Sequence, residues 1–282
     1  MTKGEAAPAA DAEKGSRNLI MRVLAASVLA PAAIAIAYAG GWLWTALVTL
    51  AAIGLYVEWL MIVGLVHQKR VVAYGIIILL VAGYTIAVGR IADSSILLAI
   101  GLVAVALASP GWRHWTTAGL LYAFAALFGS IVVRLDPVWG FTALMFVLLI
   151  VWVTDIGGYF AGRGIGGPKL WPRVSPKKTW AGAIGGFVLS LMIAAGFAAL
   201  NLGKIGPLLL LAAVLSIASQ LGDLFESAVK RRFGVKDSSQ IIPGHGGLLD
   251  RLDGFVAAVV LAAIFGLLRG GADGVGRGLM VW

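Results

Sequence analysis

The sequence predicts an all-α integral membrane protein, a polytopic bundle of about nine transmembrane helices with a cytoplasmic N-terminus. Three observations lead there. Of 282 residues, 60% are hydrophobic and only 12% are charged, where a soluble domain carries roughly 25% charge. The mean hydropathy is +0.96. The apolar residues also fall into runs long enough to cross a bilayer, which takes about 20 residues as a helix. Too little polar surface remains to coat a 29.3 kDa globule, so an ordinary water-soluble protein is excluded.

Residues 1–18 are rich in Ala, Glu and Lys, contain no apolar run, and read as a disordered tail. The apolar segment that follows lacks a cleavage site ahead of a polar domain, so it reads as a span rather than a signal peptide. Nine spans are expected at about 19–39, 42–66, 71–89, 95–109, 117–133, 138–154, 181–200, 205–222 and 254–269. Residues 19–149 then form an N-terminal scaffold and 150–282 a catalytic region. The 38 glycines suit close helix packing in lipid.

Loop charge gives the orientation. With the N-terminus inside, cytoplasmic loops carry Lys69, Arg70, Arg113 and most of the remaining Lys and Arg. The other side keeps Arg90, Arg134, Lys204, Arg269 and Arg277, the first two offset by Asp93 and Asp136. This alternation obeys the positive-inside rule and places the site on the cytoplasmic face of an inner membrane. The net charge of +9 is therefore a topology signal and does not imply a nucleic-acid partner. With no Cys, thiolate chemistry and disulfides are absent.

Charge then concentrates in two cytoplasmic stretches, about 155–180 and 223–253. They hold ten of the 22 basic residues, five in each. They also hold Asp155, Asp223, Glu226, Asp237, Asp250 and Asp253, six of the 13 acidic ones. Topology bias alone has no use for so many carboxylates. Ser219, Asp223, Glu226 and Lys230 recur at helical spacing on one face, and such a stripe at a span end faces protein or water, not lipid. A plain i,i+4 salt bridge explains Glu226 and Lys230, but not Asp223 one turn deeper. Asp250 and Asp253 share a face at the start of the last helix, where capping is the competing explanation. Gly244, Gly246 and Gly247 flank His245 and let backbone amides approach an anion.

Upstream, Ser175, Lys177, Lys178 and Thr179 precede a helix and suit phosphate binding; a basic loop before a span is the plainer reading. Gly162, Gly164 and Gly167 spell GxGxxG, but they follow a membrane span instead of a strand, so the dinucleotide-binding reading fails its context. Clustered cations for phosphates and clustered carboxylates for a divalent ion together point to phosphoryl or nucleotidyl transfer at the membrane surface.

Several strings add a resemblance. Ser227-Ala-Val-Lys230-Arg231, Lys236-Asp237 and His245-Gly246-Gly247-Leu-Leu-Asp250-Arg251-Leu-Asp253 closely resemble the signature of the phosphatidate cytidylyltransferases. Ser175-Pro-Lys177-Lys178-Thr179-Trp180 and Gly222-Asp223-Leu-Phe-Glu226 are also similar. Ala181, Ile156 and Gly158 depart from the family pattern, which leaves Asp155 without a firm role. The resemblance implies that CTP and phosphatidate give CDP-diacylglycerol and pyrophosphate with Mg²⁺, with room for a second metal. It implies Asp223 and Asp250 as metal ligands, then Asp253 and Glu226. Lys230 and Arg251 would join Asp223, Asp250 and Asp253 in catalysis. Ser175, Lys177, Lys178, Arg231, Lys236, Asp237, His245, Gly246 and Gly247 would bind substrate. A homodimer in the membrane is compatible with this reading. The alternatives are a CTP-dependent polyprenol or phytol kinase on a similar framework, and an ion-coupled transporter. A transporter needs midplane charge, for which Glu58, near a span end, is the lone candidate.

Overall fold

A computed structural model describes residues 30–239 and 246–282. The chain runs α1 (Ala30–Ala39), α2 (Gly41–Val63), α3 (Lys69–Ala87), α4 (Ile91–Ala108), α5 (Arg113–Leu135) and α6 (Gly140–Gly164). A short antiparallel hairpin follows, β1 (Lys169–Trp171) and β2 (Ser175–Thr179). Then come α7 (Trp180–Ala199), α8 (Ile205–Arg232), α9 (Leu249–Gly270) and the short α10 (Val275–Met280). Among the described residues, α2 to α9 are eight helices long and apolar enough to cross a membrane. Each falls on a span expected from the sequence. The first span is described only from Ala30 onward, and the 1–18 tail lies outside the described residues.

Exposed apolar side chains are the rule on the outside. Leu107 on α4 is 77% exposed and Leu268 on α9 is 81% exposed. In lipid such a wall costs nothing, because tails are as apolar as Leu. The buried core runs along α2, α5, α6, α8 and α9, around Tyr56, Trp59, Leu120, Leu127, Phe146 and Leu215.

Helix ends alternate between two faces of the bundle. On one face, Tyr56 Oη donates to Val71 O at 3.0 Å and Trp59 Nε1 to Trp115 O at 2.9 Å, joining the end of α2 to the starts of α3 and α5. Trp115 stacks edge-on against Phe233, just past α8, with centroids 4.8 Å apart. The charged stretches of the sequence lie on this face. On the other face, Arg90 pairs with Asp93 as expected. Arg134 does not pair with Asp136. It donates to Ala37 O at 2.6 Å and Tyr38 O at 2.8 Å, satisfying carbonyls left open at the end of α1. Asp136 instead accepts from Val138 N and Trp139 N in the turn that leads into α6, and from Arg277 N in α10.

Two features position the site. The 28 residues of α8 extend about 42 Å at about 1.5 Å per residue, well beyond a hydrocarbon core of about 30 Å. Its charged last turns therefore stand clear of the apolar layer. Second, α6 and α7 pack glycine to glycine. A Cβ on Gly157 would stand 3.0 Å from Gly186 Cα and 3.1 Å from Gly185 O. A Cβ on Gly186 would strike the carbonyl of Thr154. This close approach fixes the end of α6, which carries Asp155, against the hairpin and the start of α7.

Candidate active site

The site forms where the ends of α2, α6 and α8 meet the starts of α7 and α9 and the hairpin. Its first centre is Lys230, in the last turn of α8, where cations also complement the helix dipole. Lys230 Nζ lies 2.7 Å from Glu226 Oε2 and 2.6 Å from Asp250 Oδ1. One cation is thus shared by two carboxylates from two helices. The i,i+4 pair anticipated from spacing exists, but Asp250 turns it into a bridge between α8 and α9.

Asp250 is the second residue of α9. It accepts from Gly247 N at 2.9 Å and from Ser238 N and Oγ at 3.0 and 3.1 Å. Asp250 therefore ties the turn before α9 and the Ser238 segment to Lys230, while the amides at the helix start go to another carboxylate. Two glycines permit it. Gly246 has φ of 83°, a left-handed conformation that L side chains rarely adopt. At Gly247 a Cβ would run into Ser238 Oγ and lie 2.5 Å from Glu58 Oε2.

The second centre is acidic. Lys178 on β2 forms an ion pair with Asp223, one turn inward of Glu226. Asp155 on α6 and Asp253 on α9 lie close enough to Asp223 for the three carboxylates to repel one another, with Lys178 among them. Asp253 Oδ1 accepts from Gly254 N at 2.7 Å, and Ser227 Oγ donates to Asp223 Oδ1 at 3.4 Å. Ser219 is buried beneath this centre, where a Cβ on Gly254 would collide with its hydroxyl.

The sequence model of the cytidylyltransferase family matches residues 20–268, nearly the whole bundle and both centres. The chain belongs to the cytidylyltransferase family. It is 41% identical over 261 residues to the phosphatidate cytidylyltransferase of Brucella suis, covering 89% of this chain and 94% of that protein. It is 43% identical over 170 residues to the phosphatidate cytidylyltransferase of Haemophilus influenzae, covering 55% and 59% of the two chains. The enzyme of that name from Bacillus subtilis is 48% identical over 121 residues, covering 42% and 45%.

For a cytidylyltransferase, which must hold a triphosphate, the two centres offer cations and carboxylates together. Among the four metal candidates, Asp250 and Glu226 pair with Lys230 and Asp223 pairs with Lys178. Asp253 lies within electrostatic reach of both Glu226 and Asp223, and Asp155, the residue the sequence left without a role, is a further neighbour. Among the described residues no three His, Asp or Glu side chains form a ready-made metal cage. An all-oxygen set of this kind still suits Mg²⁺, which keeps several waters and uses one or two carboxylates plus substrate phosphates.

The substrate candidates also separate. The Ser175–Thr179 segment, expected as a helix entrance, is a strand. Strand side chains alternate, so Lys178 turns in toward Asp223 while Lys177 is exposed. Thr179 closes the strand and caps α7, accepting from Gly182 N at 3.1 Å. Arg231, Lys236, Asp237 and Arg251 are exposed around the rim. Arg231 Nη1 donates to Val235 O at 3.1 Å. His245 lies outside the described residues.

One residue the sequence reading set aside packs against the Lys230 centre. Glu58, weighed only as a transporter charge, is 0% exposed and reaches the start of α9 from α2. The only available signal was a lone carboxylate in an apolar run, which lipid does not tolerate unless it meets donors.

Proposed function

We propose that this chain is a phosphatidate cytidylyltransferase of the bacterial inner membrane, with its site on the cytoplasmic face. A phosphate oxygen of phosphatidate attacks the α-phosphorus of CTP. The new bond is O–Pα, and the bond between Pα and the β-bridging oxygen breaks. Pyrophosphate leaves with the bonding electrons, and CDP-diacylglycerol remains. Phosphatidate is already an anion near neutral pH, so no general base is needed. The task is positioning and charge neutralisation.

The observation that carries this reading is the pairing of the Lys230 and Lys178 centres at one end of a membrane bundle, in a chain alike over 89% of its length to an enzyme of this name. The residues divide the work. Lys178 and Lys230 neutralise phosphate charge from two sides. Exposed Lys177, Arg231, Lys236 and Arg251 attract the triphosphate to the rim. Asp223 and Asp253, with Asp155 beside them, would hold Mg²⁺. Bound there, the ion supplies neutralisation of the triphosphate and of the departing pyrophosphate. Next to Lys178, an apolar groove of about 410 Å³ lined by Trp171, Trp180, Ile184, Phe187, Ile217 and Leu221 suits an acyl chain. The lipid phosphate would then meet Lys178 while its tails stay in the apolar layer.

Product analysis decides between this and the kinase reading. Purified protein is given phosphatidate together with a polyprenol or phytol, and CTP labelled at the α- or the γ-phosphate. The expected result is α-label in a CDP-lipid and γ-label in pyrophosphate. Label passing from the γ-position to a polyprenol or phytol, with CDP released, would establish the kinase instead.

A further inference from the structure

Glu58 is a carboxylate inside the bundle whose partners are all donors. Its Oε1 accepts from Ser239 Oγ at 2.7 Å and Leu248 N at 2.8 Å. Its Oε2 accepts from Ser238 Oγ at 2.8 Å and Leu249 N at 2.7 Å. Both backbone amides belong to the first turn of α9, where amides lack partners within the helix and the dipole favours negative charge. Glu58 is therefore a cap supplied from another helix, 190 residues away in sequence from Leu248.

The cap does more than finish a helix. Ser238 Oγ lies 2.8 Å from Glu58 Oε2 and 3.1 Å from Asp250 Oδ2. The single proton of this hydroxyl is thus shared between the two carboxylates, the shorter contact being to Glu58. Asp250 in turn holds Lys230. A continuous chain runs from Glu58 through Ser238 and Asp250 to the Lys230 ammonium. Gly247 threads past it with no space for a side chain.

We infer that Glu58 is a positioning residue for the transfer reaction, setting Asp250 and Lys230 through Ser238. This rests on the reading of the site as a cytidylyltransferase centre acting on phosphatidate. Glu58 itself touches no reacting atom. Its charge orients the Ser238 and Ser239 hydroxyls and the α9 amides, and these fix the rotamer of Asp250. A neutral isostere cannot do this, because an amide presents a donor where four donors already converge.

The experiment is a double-variant cycle on full-length protein in detergent with phosphatidate and CTP, using Glu58→Gln, Ser238→Ala and both together. The wild type is assayed first. If it forms no CDP-lipid, the functional reading fails and the inference that rests on it falls with it, before any variant is compared. With active wild type, Glu58→Gln is expected to lower kcat on the order of 100-fold, the scale of a 1 Å misplacement, while the KM for CTP changes less than about 3-fold. Because both residues act on Asp250 along one chain, the double variant should fall no further than the worse single variant. Multiplying losses, or wild-type kcat in folded Glu58→Gln, would overturn the inference. Should Glu58→Gln not accumulate, Ser238→Ala carries the test: kcat is expected at least about 10-fold lower at steady KM, and unchanged kcat counts against a positioning chain.

Discussion

At the scale of single residues, Asp250 concentrates the most contacts of the candidate site in the fewest atoms. Its two oxygens hold an ammonium, two backbone amides and a hydroxyl. Asn in its place keeps the shape, removes the charge and turns one acceptor into a donor. Lys230 would then keep only Glu226 as an ion-pair partner. Charge-assisted bonds of this kind are worth about 1.5–3 kcal/mol each, so Asp250→Asn should lower CDP-lipid formation at least about 100-fold. The protein should still insert and stay monodisperse by size exclusion in detergent. Near-normal turnover by the purified variant would remove Asp250 from the machinery. The sequence marked Asp250 by spacing and by resemblance. It could not mark Glu58 as its partner, because nothing in 190 residues of intervening chain says that α2 ends beside the start of α9.

At the scale of elements, the hairpin and the α6–α7 contact decide which of the predicted side chains can cooperate. The run Ser175-Pro-Lys177-Lys178-Thr179 looks like two adjacent lysines serving one phosphate. Strand geometry sends them to opposite faces, and only Lys178 meets Asp223. The same contact brings in Asp155, which the local pattern did not favour. Its position follows from glycines on α6 and α7 that let two backbones touch. A valine at Gly186 would push into the Thr154 carbonyl and its neighbours. Gly186→Val should therefore destabilise the protein by about 1–3 kcal/mol, as overpacking does. This should appear as a lower melting temperature in detergent, with activity falling as Asp155 and Lys178 separate. An unchanged melting temperature would mean that α6 and α7 are not pressed together as described.

At the scale of the whole molecule, sidedness is the property that makes the chemistry possible, since soluble CTP must reach a lipid phosphate. Both centres lie on one face, along with most of the loop Lys and Arg. The chain has no native Cys, so single-cysteine labelling is clean. Ser238 is unsuitable as a reporter, being buried and bonded within the site. Arg232 and Lys204 are exposed at opposite ends of α8. In intact cells an impermeant maleimide should label Lys204→Cys and spare Arg232→Cys until the membrane is opened. The reverse pattern would invert the proposed orientation and place the site away from CTP.

The sequence by itself determined the membrane-spanning character, the order of the spans and the stretches where charge gathers. These follow from local quantities: run length against bilayer thickness, and the cost of charge in lipid, which confines carboxylates to places where they have partners. Only the tertiary structure decided the partners. It placed two lysines, Lys230 and Lys178, against the expected carboxylate cluster, drew Asp155 in beside Asp223 and Asp253, and brought Glu58 from α2 to the start of α9. Pairing depends on which helices pack side by side, and that is fixed by contacts between segments far apart in the chain, which no local spacing records.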